Sequence, residues 1–214
     1  MGKIIRKKMF TENQIQELNE AFKDASPIEI IKKAFELNNK TVVTTNFRPY
    51  EAAILHAVSS VEVKVPVVWC DTGYNTPQTY KHAEQVIKDL DLNVFLYVPK
   101  QTSSHRDVVM GIPSIDAPEH ALFTEQVKLE PFRRAMDEHK PNVWFTNLRQ
   151  GQTAFRNSIG IFSLSKDGVL KVSPFYYWSD EKLDSYLEDN NLTNEFKYFD
   201  PTKALENREC GLHA

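Results

Sequence analysis

Cys210, one of two cysteines in 214 residues, stands in the run Glu209-Cys210-Gly211-Leu212-His213, four residues from the C-terminus. A buried structural cysteine sits among apolar neighbours, so a thiol between a carboxylate and a glycine on a terminal tail reads either as a reagent or as an incidental cysteine on a disordered end. Reaction needs the thiolate, and a free cysteine of pKa about 8.5 reaches that form at neutral pH only beside positive charge. Arg208, His213 or a basic pocket over which the tail closes can supply it. Cys70 ends an apolar run and reads as a small core hydrophobe with no catalytic role.

Three other segments carry groups suited to anions or nucleotides. Thr44-Thr45-Asn46-Phe47-Arg48 offers hydroxyls, backbone amides and a guanidinium. Cys70-Asp71-Thr72-Gly73-Tyr74 places a carboxylate able to accept from ribose or amine donors beside a glycine that permits close backbone approach. Asn147 to Arg156 holds Arg149 and Arg156 seven residues apart, and arginine's planar fork suits phosphate or sulfate. Taken singly, each is also an ordinary polar turn, an Asx-capped turn or a pair of surface arginines.

The elements that must position these groups alternate. Thr11 to Gln14 and Ser26 to Glu29 fit the capping-box pattern, the second with proline at the first helical position, and predict two short helices. Strands are expected at Thr41 to Thr45, Val65 to Cys70, Asn93 to Val98 and Asn142 to Thr146. Helices are expected from about Tyr50 to Val58, from a start at Thr76-Pro77 to about Leu90 and near Pro131 to Glu138. That alternation means a parallel, Rossmann-like α/β sheet flanked by helices, with ligands expected beyond the carboxyl ends of its strands. Ile161 to Ser165 and Val169 to Ser173, around Lys166-Asp167-Gly168, read as an antiparallel hairpin packed on the sheet edge. Ser179 caps a late helix whose first turn holds Asp180 and Glu181. The polar stretch Asn190 to Asn207 reads as an arm carrying the cysteine tail. The expected division is therefore N-terminal helices over 1–40, a nucleotide-binding core over 41–189 and the arm with its mobile tail over 190–214.

Composition narrows the function. With 41% hydrophobic residues the chain can build one sizeable core. A net charge of −3 argues against a general nucleic-acid binder, so any phosphate site must be local. Two cysteines, neither in a CxxC pair nor with histidine at zinc-finger spacing, predict a reducing compartment and no structural metal or iron-sulfur cluster. The basic stretch Met1 to Lys8 is not followed by the apolar run of a signal peptide, and no membrane-length apolar stretch occurs, so a cytoplasmic protein is expected.

Taken in order, several segments resemble the phosphoadenosine phosphosulfate reductase family of the adenine-nucleotide α-hydrolase-like superfamily. Glu209 to His213 matches its ECGLH signature, and Asp71 to Tyr80 is similar to its DTGxxFPETY. Lys128-Leu129-Glu130-Pro131 looks like its KxEP, and Arg149 to Arg156 like its RRxQSxxR, while Lys171 to Trp178 resembles the segment before its late helix. The resemblance implies thiol-dependent reduction of 3′-phosphoadenylyl sulfate to sulfite and adenosine 3′,5′-bisphosphate through a cysteine S-sulfonate released by thioredoxin or glutaredoxin. Carried over, Cys210 is the nucleophile and His213 tunes it. Thr44, Thr45 and Arg48 correspond to the phosphate loop. Asp71, Thr72 and Gly73 line the nucleotide pocket, and Lys128, Arg149, Gln152 and Arg156 hold the anionic groups. No cofactor is implied, and a homodimer is expected by analogy.

The chain departs from the pattern in three places. The SSSFG-like loop appears as Thr44 to Arg48, with arginine where glycine would stand; Gln150 and Thr153 replace an arginine and a serine; and the glycine-, histidine- and threonine-rich segment expected between Leu192 and Glu206 is missing. These departures keep two alternatives open, a nucleotide-binding paralogue without turnover and an ATP pyrophosphatase-type adenylating enzyme of the same superfamily.

Overall fold

A computed structural model describes residues 10–154 and 156–203. Cys210 and His213, the expected nucleophile and its partner, lie outside the described residues. The two N-terminal helices form where their caps place them. In α1 (Glu12–Phe22) the Gln14 amide donates to Thr11 Oγ1 at 3.3 Å while the Thr11 amide donates to Gln14 Oε1 at 2.8 Å, and Ser26 and Glu29 make the same reciprocal pair at the start of α2 (Pro27–Leu37). Each box satisfies backbone amides that an uncapped helix leaves open.

Six strands make one sheet in the order β3-β2-β1-β4-β6-β5. β1 (Thr41–Thr45), β2 (Pro66–Cys70), β3 (Asn93–Tyr97), β4 (Val143–Phe145) and β6 (Leu170–Val172) run parallel, and β5 (Phe162–Leu164) is antiparallel to β6 at one edge. The expected hairpin forms, but it is not an appendage: β6 pairs parallel with β4, Val143 opposite Leu170 and Phe145 opposite Val172, and so extends the main sheet.

Side chains on successive strand residues point to opposite faces, which divides the core in two. Val43, Val67, Val143 and Phe145 pack with the helical residues Ile30, Ile31, Ala53 and Leu183, from α2, α3 (Glu51–Val61) and α8 (Asp180–Asp189). Val42, Val68 and Trp144 face the other way, against Phe132, Ala135 and Met136 of α7 (Glu130–His139). Helices therefore cover both faces, and β1, β2 and β4 read as continuous apolar or β-branched runs because they have no wet side.

No periodic pattern in the sequence marks α5 (Ser103–Val109), α6 (His120–Thr124) or the π-helical stretch Glu125–Leu129 that joins α6 to α7. A π turn breaks the 3.6-residue period on which such a signal rests. Lys128 lies in this stretch. α4 (Pro77–Asp89) begins at its expected cap, where Thr76 Oγ1 accepts from the Thr79 amide at 3.1 Å.

The arm after α8 has no regular structure up to residue 203, yet it is packed. The Tyr50 amide donates to Asn194 Oδ1 at 2.9 Å, Thr193 Oγ1 lies 3.3 Å from His82 Nδ1, and the hydroxyls of Thr76 and Thr79 donate to the Lys197 carbonyl at 2.6 and 3.3 Å. These contacts lay it across the carboxyl ends of the strands.

Candidate active site

The chain leaves β1 for β2 and β3 on one side and returns to β4 on the other. The strand order thus reverses between β1 and β4, the position at which open α/β sheets open a ligand crevice. The loop after β1, residues 46–50, and the loop after β4, residues 146–156, flank this point. Two adjoining clefts lie there. One of about 410 Å3 is lined by Thr44, Thr45, Arg48, Lys128 and Arg156 together with Cys70, Trp144, Phe199 and Asp200. The other, of about 450 Å3, is lined by Arg48, Arg149, Gln152, Arg156, Asp180 and Lys203. Arg48, Arg156 and Lys203 border both.

The first loop is organised by a residue that motif comparison passes over. Glu51, buried at the first turn of α3, accepts from Thr45 Oγ1 at 2.8 Å and from the Asn46 amide at 2.7 Å through Oε2, and from Arg48 Nε at 2.8 Å through Oε1. Arg48 also donates to the Asn147 carbonyl at 3.1 Å, and Asn147 Nδ2 donates to the Tyr50 carbonyl at 3.2 Å, so the two loops are bonded to each other. Arg48, standing where the family pattern has glycine, does not take a positive φ; Phe47 at 52° and Tyr50 at 68° do. Phe47 holds that conformation with its ring buried edge-on against Trp69, 4.8 Å between centroids. Thr44 is used structurally too: its Oγ1 accepts from Trp144 Nε1 at 2.9 Å.

Gln152 explains the spacing of the two arginines. Its Oε1 accepts from Arg156 Nη1 at 2.5 Å and from the Arg149 amide at 3.1 Å, which folds the loop back and puts both guanidinium-bearing residues on one wall. The Arg149 guanidinium lies 5.1 Å above the Tyr50 ring and donates to Asp180 Oδ1 at 2.5 Å, while its Nε, buried, has no hydrogen-bond partner among the described residues. Both a cation–π contact and a charge-assisted bond thus orient it.

Lys128 enters from the opposite side. Its ammonium, on a residue 3% exposed, contacts Asp200 Oδ2 at 2.5 Å and Thr202 Oγ1 at 3.4 Å. Burial pushes the Asp200 carboxyl up, but Lys128 and the Thr202 hydroxyl and amide outweigh it and hold the group below its ordinary range. Cys70 borders the same cleft, yet burial pushes its thiol up to about 12, so it remains a thiol at neutral pH and a poor nucleophile.

Asp71, Thr72 and Gly73 are not among the residues lining either cleft. Asp71, expected to accept from a ligand, takes Tyr80 OH at 3.1 Å, Asn75 Nδ2 at 2.9 Å and the Gly73 amide at 2.9 Å, with Gly73 at a φ of 80°. Thr72 Oγ1 accepts from the Tyr74 amide at 3.2 Å. This loop follows β2, one strand away from the reversal point, and its polar groups are satisfied internally. Beyond Glu51, motif reasoning also missed Asp200 and Lys203, which line the clefts without belonging to any motif.

A mostly parallel sheet, flanked by helices and with its strand order reversing between β1 and β4, is a fold of the adenine-nucleotide α-hydrolase-like class. The family model described as the phosphoadenosine phosphosulfate reductase domain matches residues 40–197, and the chain belongs to that family. Among relatives, the chain is 30% identical to phosphoadenosine 5′-phosphosulfate reductase of Vibrio cholerae serotype O1, over 96% of this chain and 92% of that protein. It is 29% identical to the Vibrio atlanticus protein of the same name, over 94% of this chain and 86% of the relative. The crystal structure of phosphoadenylyl-sulfate reductase from Candida auris in a phosphate complex superposes with a TM-score of 0.76 at 23% identity, covering 86% of this chain and 89% of that one, and shares the fold. No helix among the described residues is long and apolar enough to cross a membrane.

Proposed function

We propose that the chain reduces 3′-phosphoadenylyl sulfate to sulfite and adenosine 3′,5′-bisphosphate. The observation that carries this reading is the convergence of Arg48, Arg149, Arg156 and Lys128 at the β1/β4 reversal point in a chain of this family. Fixed cations in a cleft stabilise charge that moves from sulfate to the leaving phosphate without solvent having to reorganise. Thr45 and Gln152 act in this scheme by fixing Arg48, through Glu51, and the two loop arginines.

The nucleophile is Cys210. It lies seven residues beyond Lys203, which borders both clefts, and a tether of that length spans at most about 25 Å. Its thiolate attacks the sulfur, the bond from sulfur to the bridging phosphate oxygen breaks, and adenosine 3′,5′-bisphosphate leaves with the electron pair. Cys210 then carries the sulfonate. A thiolate of reduced thioredoxin or glutaredoxin attacks the Cys210 sulfur and displaces sulfite, and the donor's second thiol resolves the mixed disulfide, freeing Cys210 and leaving the donor oxidised. Covalent catalysis of this kind splits one hard reduction into a series of easier displacements. His213 stands close enough in sequence to tune the thiol.

In a sulfite-release assay with reduced thioredoxin, Cys210→Ser should lose turnover while still binding adenosine 3′,5′-bisphosphate. Retained turnover would place the nucleophile elsewhere.

A further inference from the structure

Asp200 occupies the position that an anionic ligand needs on Lys128. The two groups meet at 2.5 Å with side chains 4% and 6% exposed, on the wall of the 410 Å3 cleft and 72 residues apart in the chain. The other carboxylate oxygen of Asp200 accepts from the Thr202 amide at 3.0 Å and the Thr202 hydroxyl at 2.7 Å. The segment bearing it is anchored upstream, at Thr193, Asn194 and Lys197, by contacts to His82, Tyr50 and the start of α4. Asp200 can therefore leave Lys128 while those anchors hold, taking its Thr202 turn with it.

From this geometry we propose that Asp200 is a specificity-determining residue, an internal anion that holds Lys128 in the unliganded protein and that an anionic group of the substrate must displace. Two anions on one buried ammonium repel, and a carboxylate displaced into water regains its hydration. Only a ligand whose group binds Lys128 better than Asp200 does completes the exchange, so Asp200 lowers the affinity for weak anions and sets a threshold for strong ones. The proposal rests on Lys128 being an anion contact in the function proposed above.

Calorimetric titration with adenosine 3′,5′-bisphosphate tests both levels. Asp200→Asn should bind at least about tenfold tighter than the parent, the scale of one charge-assisted contact no longer competed for, and Lys128→Met should bind more weakly. A residue that merely braces Lys128 would give the opposite sign, weaker binding in Asp200→Asn. Weaker binding in Lys128→Met with unchanged or weaker binding in Asp200→Asn overturns the exchange and leaves Lys128 in the anion site. Unchanged affinity in both overturns the exchange and removes Lys128 as well. Hydrogen exchange on the unaltered chain needs no variant to fold. Saturating nucleotide should speed exchange at the backbone amides of residues 198–200, 202 and 203, and unchanged or slower exchange there contradicts the displacement.

Discussion

Two cation–carboxylate pairs stand on opposite walls of the clefts at the same 2.5 Å separation, and burial makes them different objects. Lys128 and Asp200 have side chains 4% and 6% exposed, whereas Arg149 and Asp180 have 11% and 60%. In the first pair both ions have given up water and each depends on the other; removal of one leaves an uncompensated buried charge. In the second, Asp180 stays hydrated and the attraction is screened, so the bond orients Arg149 without binding it tightly. The contrast separates a cation held by a committed internal counter-ion from one that an incoming anion can take over with little displacement.

The comparison breaks most readily at its buried end. Lys128→Met should lower the free energy of unfolding by about 3–5 kcal/mol, the cost of a buried carboxylate without its partner, with most of it regained in Lys128→Met/Asp200→Asn. Urea denaturation of the two variants reads this directly, and a loss near that of a surface pair would mean that Asp200 is not committed to Lys128. At the exposed end, Arg149→Ala should weaken adenosine 3′,5′-bisphosphate binding by about 1.5–3 kcal/mol, as for a lost hydrogen bond from a charged group, while stability barely changes. Calorimetry that finds equal affinity would take Arg149 out of the ligand site.

Acid sharpens the comparison from outside the clefts. Each carboxylate-bearing segment is pinned by a histidine, His82 against Thr193 of the arm and His56 against Tyr186 of α8, with His56 Nδ1 2.8 Å from the tyrosine hydroxyl. Burial lowers the pKa of both histidines, with Glu195 opposing it at His82. A histidine whose folded pKa is depressed binds more protons when unfolded, so its contribution is complete above the unfolded pKa of about 6.5 and is lost as pH falls through the folded value. Melting temperature should hold steady from pH 8 to about 7 and fall as pH drops below about 6.5. His82→Asn and His56→Asn should each flatten part of that fall. The smallest effect expected is that of Asp180→Ala on stability, under about 1 kcal/mol by urea denaturation.

Much of this arrangement was legible in the amino-acid sequence. Thr11, Ser26, Thr76 and Ser179 cap the helices they were expected to cap, because a cap is a local hydrogen bond between residues three apart. The four core strands were legible because a run of apolar and β-branched residues is likewise a local signal. What was hidden depends on contacts distant in sequence. Three loops looked equally suited to a ligand, and only the strand order shows that those after β1 and β4 flank the reversal point while Asp71 sits one strand away, consumed by Tyr80 and Asn75. β6 joined the parallel sheet because β4 offers it an open edge, which a hairpin signal does not reveal. Glu51 and Asp200 carry no motif, since their roles appear only once Arg48 and Lys128 are brought beside them.

Intact-protein mass spectrometry of the full chain mixed with 3′-phosphoadenylyl sulfate, in the absence of any thiol donor, addresses the chemistry assigned to the clefts most directly. The account predicts a mass gain of one sulfonate group, localised by peptide mapping to Cys210 and lost on addition of reduced thioredoxin. An unmodified Cys210 after the nucleotide has been converted to adenosine 3′,5′-bisphosphate, or a sulfonate on Cys70, would contradict it.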